Sequence, residues 1–542
     1  MTSPADPERR WTRRQFLTAA GIVAVGGASV AVIYAVESQG QPSAGSTAAV
    51  PSAAAVSAPL SSTVLSAVAS PTPAPSVTAG TPTHTTPATP GPSGSAPPTG
   101  PRRTFRSRPD LTPPVIEIAT PAGAVAPGYI FFTPGNGAGR DGPMIVDNAG
   151  EPIWVHPGAG KAATDFRVST YHGAPVLTWW EGTLNGGNGD GQFIVADAGY
   201  QELTRIRPVN GYSLDLHELV VTPAGTALFL AGNPMLADAA IGRPWALWDD
   251  VIQEVDIATG HLLFEWHTAQ HIDPSESFVA PPTKPTDAYD AVHANSIEID
   301  TDGNLIVSAR NTSAIYKIDR VTGEIHWRLG GKKSDFSLGP GAAFGWQHDV
   351  RRLPDGTISI FDDEAAPNPS RGIILEVDEV NRTATLRQEF KQPHHLPTSS
   401  QGNVQLLPNG NWFIGWGATP WFSEFAPDGT VIFDASFPAS GQSYRSYRLP
   451  WVSHPTELPA LSSEVSGTNL TVYASWNGAT EVATWDVLAG PQADTLDLVG
   501  SAPRSGFETS ITVASNGQLV AVRARDKNGA SLATSAALPI GS

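Results

Sequence analysis

"WQHDVRRLPDGTISIFDDE", Trp346 to Glu364, consists of two alternating apolar and polar runs joined at Asp355-Gly356. Alternation with period two is the mark of a half-buried strand, and Asp-Gly between two such runs signals a tight β-hairpin. The hairpin is one of a set. "HELVVTPAGTALFLAG", "NSIEIDTDGNLIVSAR" and "GNVQLLPNGNWFIGWG" share its turn glycine and its flanking apolar strands. Each is followed, after a loop, by a second hairpin: "VIQEVDIATGHLLFEW", "AIYKIDRVTGEIHWRL", "GIILEVDEVNRTATLRQEF" and "FSEFAPDGTVIFDASF".

A pair of hairpins makes a four-stranded blade, and self-similarity at a period of about 40 to 50 residues is the signature of a β-propeller. "YHGAPVLTWW" with "QFIVADAGYQELTRI" supplies one further blade upstream, making five complete ones. The strands left over lie at opposite ends of the region: "YIFFTP" and "PMIVDNAGEPIWVHP" at its start, "YRSYRLPW" at its end. They are expected to form a sixth blade closed by both ends, which leaves the ring without a free edge. The fold class expected is therefore all-β: a six-bladed β-propeller over 113–455, then an immunoglobulin/fibronectin-like β-sandwich over 456–542. The latter rests on short strands with Asn-Gly turns such as "NLTVYASWNGATEVATWDVLAG".

Upstream of the propeller the composition changes twice. Arg13 and Arg14 precede Gln15-Phe16-Leu17 and an uncharged run from Leu17 to Val36. This is the pattern of a twin-arginine export signal, so residues 1–37 are expected to engage the twin-arginine translocase and place the rest of the chain outside the cytoplasm. The run is near the roughly 20 residues that span a bilayer, and removal and retention as an anchor both fit it. Residues 38–112, rich in Pro, Ser, Thr and Ala, are expected to be a disordered linker. The chain has 542 residues, a net charge of −18 and no cysteine. The charge argues against a nucleic-acid partner, and the missing thiols exclude disulfides, thiol catalysis and cysteine-ligated metals.

The polar residues fall into register when the first hairpins are aligned by Gly225, Gly303, Gly356 and Gly410. Eight residues before these glycines lie His217, Asn295, His348 and Gly402; seven after lie Gly232, Arg310, Asp363 and Gly417. With two-residue loops, His217 opposes Gly232, Asn295 opposes Arg310 and His348 opposes Asp363. His293 shares a face with Asn295. Inner strands of a propeller line its axis, so these groups are expected to converge at one mouth. A lone strand-end histidine is usually a structural hydrogen-bonder, but three in related registers point to function. Metal binding is possible for three histidines, yet Asp363 is the one carboxylate in register with them. Neutral imidazoles beside an arginine suit transfer of an anionic group: arginine binds oxyanions, one imidazole attacks, and the others donate hydrogen bonds. Sulfate and phosphate esters fit equally. Asp363 would orient His348, while Asp349 and Glu218, next to the histidines in sequence, face away.

"HANSIEIDTDGNLIVSAR", "WQHDVRRLPDGTISIFDD" and "QGNVQLLPNGNWFIGWG" together resemble the bacterial arylsulfotransferases, in particular a shorter branch with a six-bladed propeller and a sandwich tail. The resemblance runs from about Pro113 to the C-terminus. It implies transfer of a sulfuryl group from an aryl sulfate to a phenol, with no nucleotide donor and no cofactor, through a sulfated histidine. Carried over by motif, His348 would be the nucleophile, and His217, His293, Asn295 and Arg310 would bind the sulfuryl oxygens. The chain departs from the better-known branch at Asp349, where that branch has threonine. A second resemblance, of "IDRVTGEIHWRLGG" to the tryptophan-docking repeats of quinoprotein propellers, implies an oxidoreductase or a purely structural packing of Trp327 between blades. A non-catalytic surface propeller that binds its ligand at the same mouth is the third class.

Overall fold

The computed structural model describes residues 100–541 apart from 136–141, 159, 186, 238–244, 285–286, 364–368, 439–440 and 515–516. The export signal and most of the expected linker therefore lie outside the described residues. Among the described residues no helix is long and apolar enough to cross a membrane.

Among the described residues the chain is almost wholly β, in six units each built on four antiparallel strands and a C-terminal pair of sheets; short strands extend three of the units, and the first two units are joined at Gly191 and Leu214. Five units are continuous in sequence, and their inner strands are Ala162–Tyr171, Ser213–Val221, Ala294–Ile299, His348–Arg352 and Asn403–Leu406. The sixth is composite. Ser446–Leu449 is its inner strand and pairs with Tyr129–Phe132, so residues from both ends of the region share one sheet. The inner strands touch in a cycle, first to second and onward, the fifth meeting the sixth through hydrogen bonds of the Asn403 and Gln405 side chains to the backbone of Ser446 and Arg448, and the sixth meeting the first. A buried apolar cluster also lies between each neighbouring pair of units, six clusters in all. This is propeller-like packing: each sheet is apolar on both faces because each is covered on both faces.

Trp327 shows the logic at one position. Its ring is buried between the third and fourth units, against Phe336 at 5.4 Å, and its indole N–H donates to Glu379 at 2.9 Å. Trp266 occupies the corresponding place between the second and third units and donates to the Gly323 carbonyl at 2.9 Å. Both are packing residues with satisfied polar atoms.

The expected register is corrected by one residue in every first hairpin. Thr222 pairs with Thr226, Asp300 with Asn304, Leu353 with Thr357 and Leu407 with Asn411, so each loop has three residues rather than two. The third is glycine with φ between +79° and +86°, the left-handed position of the three-residue turn. Arg351 thus opposes Ser359, and His348 opposes Phe361 instead of Asp363. Asn295 does not oppose Arg310 and His217 does not oppose Gly232; Ser296 opposes Ser308 and Leu219 opposes Phe229. A second irregularity follows nearer the axis, where the register shifts again between Ala294 and Ser296 and between His348 and Arg351. Asp349 (φ 52°) lies within the second of these shifts and His293 (φ 57°) just ahead of the first. Bulges of this kind re-aim side chains, and they bring back the contacts that a regular ladder would have lost.

The C-terminal residues form two sheets, Ala460–Ser466 with Asn469–Ser475 and Glu508–Ala514, and Asp497–Pro503 with Thr484–Gly490, Leu519–Arg525 and Ser531–Thr534. Trp476 and Trp485 are both in the core of this region. The segment from 100 to 112 is placed differently from the linker expected of it. Phe105 packs on Phe507 at 4.4 Å, Leu111 is fully buried, and Ser107 N–H donates to Glu508 at 2.6 Å. Two apolar anchors in an otherwise polar stretch hold it.

Candidate active site

The inner strands begin at one end of the ring, and there the structure gathers five of the six residues read from sequence. His348, His217 and His293 are all buried. The His217 and His293 rings meet edge to face at 4.9 Å. Tyr444 stands between them and His348, its ring 5.4 Å from His217 and 6.4 Å from His348. Each imidazole is held by a carboxylate at Nδ1: His348 by Asp363 at 2.6 Å, His293 by Asp290 at 2.6 Å, and His217 by Asp215 in a short contact. Three Nδ1–H groups spent on carboxylates leave three Nε2 lone pairs.

Two of these carboxylates, Asp215 and Asp290, are held by the first unit. The tip of the hairpin Ala174–Asn185 to Asn188–Ala196 donates to Asp215 from Gly189 N–H at 3.0 Å and to Asp290 from the Asn188 amide at 3.4 Å. Gly187 (φ 100°) passes over His293, where a Cβ would sit 3.5 Å from the imidazole.

Electrostatics keep the nucleophile candidate neutral. Burial, then the positive charge of Arg310, hold His348 well below the ordinary histidine value. Burial pushes the Asp363 carboxyl up, with Arg310 opposing. The contact at Nδ1 places a proton between His348 and Asp363, and the Gln401 N–H directed at Nε2, 3.3 Å away, marks Nε2 as the unprotonated nitrogen. Burial likewise lowers His217, with Asp215 opposing. Arg310 lies over the Trp346 ring at 4.9 Å, donates to Asn311 at 2.9 Å and to the Ser399 carbonyl at 3.2 Å, and keeps a buried Nε that meets no partner. Its hydrogen-bond partners are neutral dipoles, and the carboxylates Asp363 and Asp290 act on it only through charge, which leaves its fork able to take an anion.

Asn295 is the exception. Its amide nitrogen donates to the Gln347 carbonyl at 2.8 Å, and it reaches the cluster through its own carbonyl, which accepts from Tyr444 O–H and Arg445, both at 3.1 Å. Sequence reasoning missed Tyr444, Asp215 and Asp290. Tyr444 belongs to "YRSYRLPW", whose pattern marks only a closing strand, whereas Asp-x-His at 215–217 and Asp-x-x-His at 290–293 are visible as local pairs. Beneath Tyr444 lies a buried ionic cluster of Arg445, Arg167 and Arg351 with Asp165, Glu218 and Asp349. Glu218 and Asp349 face this cluster, away from the histidines. Among the described residues no group of three or more acids, histidines or cysteines is arranged to hold a metal ion.

The lone pairs set the pH response. His348 must be neutral to act through Nε2, and its pKa is lowered, so protonation begins only below the ordinary value of 6.5. The acid limb of kcat/KM should accordingly fall below pH 6.5. A limb at or above that value in a pH–rate profile would contradict the assignment.

A family model described as arylsulfotransferase (ASST) matches residues 167–438. A search of curated proteins found no match. Among solved structures, a protein of unknown function from Bacteroides caccae is 15% identical, covering 59% of this chain and 98% of its own, at a TM-score of 0.37. A catalytically inactive virginiamycin B lyase from Staphylococcus aureus with quinupristin is 11% identical, covering 67% and 97%, at 0.31. A periplasmic gluconolactonase from Pseudomonas aeruginosa is 15% identical, covering 70% and 97%, at 0.27.

Proposed function

The chain belongs to the arylsulfotransferase family, and on that premise we propose that it moves a sulfuryl group from an aryl sulfate to a phenol through His348. The observation that carries this reading is the His348–Asp363 pair beside Arg310: a neutral imidazole with an oriented Nδ1–H, a lone pair at Nε2 and a fixed cation nearby. In the first step the Nε2 lone pair attacks sulfur, the N–S bond forms, and the S–O bond to the aryl group breaks. The aryl oxygen leaves with the bond's electrons as phenolate. The positive charge on the sulfated imidazole is balanced by Asp363 across the Nδ1–H bridge. In the second step the acceptor's phenolic oxygen attacks sulfur, and the N–S electrons return to His348.

The carboxylate partners refine the roles of the other histidines. With Nδ1–H committed to Asp215, neutral His217 presents an acceptor at Nε2. It therefore serves as the base that takes the acceptor's hydroxyl proton, rather than as a hydrogen-bond donor to sulfuryl oxygens. His293, held in the same way by Asp290, stands beside it. Arg310 is then the principal ligand of the sulfuryl oxygens. Arg310→Lys keeps the charge but loses the planar fork and the Trp346 stack, and kcat/KM should fall by about 100-fold in a 4-nitrophenyl sulfate assay.

The test of the whole reading is to incubate the protein with 4-nitrophenyl sulfate and a phenol and to follow nitrophenolate release and the mass of the peptide containing His348. Turnover with a sulfuryl-sized adduct is expected; absence of both sinks the proposal. The Arg13-Arg14 leader supports export by the twin-arginine route, so the reaction would take place outside the cytoplasm.

A further inference from the structure

The loop that enters the inner strand Asn403–Leu406 lies across both reactive groups. Its Ser399 carbonyl accepts from Arg310 at 3.2 Å, and its Gln401 N–H points at His348 Nε2 at 3.3 Å. Gln401 has φ 73°, a left-handed conformation that is unfavourable for an L-residue and persists only where the surroundings impose it. Here they do. Gly402 N–H is tied to the Tyr444 carbonyl at 2.9 Å, and Ala418 N–H is tied to the Ser400 carbonyl at 3.1 Å. Gly402 (φ 99°) has no room for a side chain, since a Cβ would sit 2.5 Å from the Phe361 ring.

A strained backbone amide aimed at the reacting nitrogen needs a reason, and its bond in the free protein is long and weak. Resting on the His348 reading, we propose that the backbone N–H of Gln401 is a catalytic donor that holds a sulfuryl oxygen during both transfer steps. When Nε2 bonds to sulfur it loses the lone pair that this N–H addresses. The donor then faces the oxygens of the group just attached, where charge is concentrated as the N–S bond forms and breaks. The rearrangement exchanges one N–H···N contact for one N–H···O contact. Arg310 on one side and this amide, displaced from the Nε2 axis that sulfur then occupies, on the other would grip the group in transit, the arrangement of an oxyanion hole.

Replacing residue 401 by the α-hydroxy analogue of glutamine turns the amide into an ester and deletes this one donor while keeping the shape. Single-turnover release of nitrophenolate should slow by about 100-fold, with the thermal unfolding midpoint close to that of the wild type. Gln401→Val should lose more activity than Gln401→Asn, because a β-branched residue resists positive φ and asparagine tolerates it. An ester variant that reacts at the wild-type rate, or equal losses in the valine and asparagine variants, overturns the assignment. A wild type with no adduct on His348 sinks the underlying reading and this donor with it, whereas the ester result sinks the donor alone.

Discussion

His348→Ala should lower sulfuryl transfer by at least about a thousandfold and remove the sulfuryl adduct from its peptide. Loss of a nucleophile removes the covalent route itself, so the residual rate reflects only what binding and the remaining charges supply. The expected size also follows from what stays behind. Asp363 loses its Nδ1–H partner and stands buried beside Arg310, a change that costs stability by about 1–3 kcal/mol but leaves the ring of six apolar clusters intact. Thermal unfolding measures that part separately, so the loss of activity can be assigned to chemistry once the variant is seen to be folded. An adduct that persists in the variant on His217 or His293 would move the nucleophile to that histidine. Turnover at the wild-type rate would end the covalent mechanism altogether.

Most of this arrangement was legible because the repeat is simple. Alternation with period two and a glycine at a fixed place in each turn give the four-stranded unit, and unit counting assigns "YIFFTP" and "YRSYRLPW" to one sheet, as Tyr129–Phe132 and Ser446–Leu449 indeed are. The cross-strand register was not legible. A two-residue and a three-residue loop both carry Asp-Gly or Asn-Gly, and the choice rests on backbone angles at one glycine. The contact between His348 and Asp363 was expected for a wrong local reason, direct opposition, and occurs because the strand bulges around Asp349 (φ 52°). Tyr444 was not legible either. Its place between His217 and His348 depends on how the last strand closes the ring, which is a long-range fact with no local pattern. Asn295 shows the converse: a position in register says which face a residue occupies, not that its amide goes to the Gln347 carbonyl.

Arg445→Leu is expected to be the most destabilising single change near the site, by about 3–5 kcal/mol. The Arg445 side chain is wholly buried and meets Asp165 at 2.9 Å, Glu218 at 3.1 Å and Asp349 at 3.3 Å. Burial by itself would raise Glu218, and Arg351, Arg445 and Arg167 together bring it below the usual carboxylate range. Three guanidinium groups face three fully buried carboxylates, with the partly exposed Glu298 at the edge 3.3 Å from Arg351, so deletion of Arg445 leaves three fully buried acids facing two cations. Glu218→Leu makes the opposite imbalance. The double variant restores two against two, and its loss should therefore be smaller than the sum of the two single losses. Chemical denaturation of the four proteins measures the coupling. Additive losses would mean that solvent reaches the cluster and that its charges do not depend on one another. The cluster also supports the site from below: Arg445 lies 5.0 Å from the centre of the Tyr444 ring and donates to the Asn295 carbonyl, the same atom that accepts the Tyr444 hydroxyl. A folded Arg445→Leu protein should consequently lose transfer activity as well, because the plate between His217 and His348 would no longer be held from beneath.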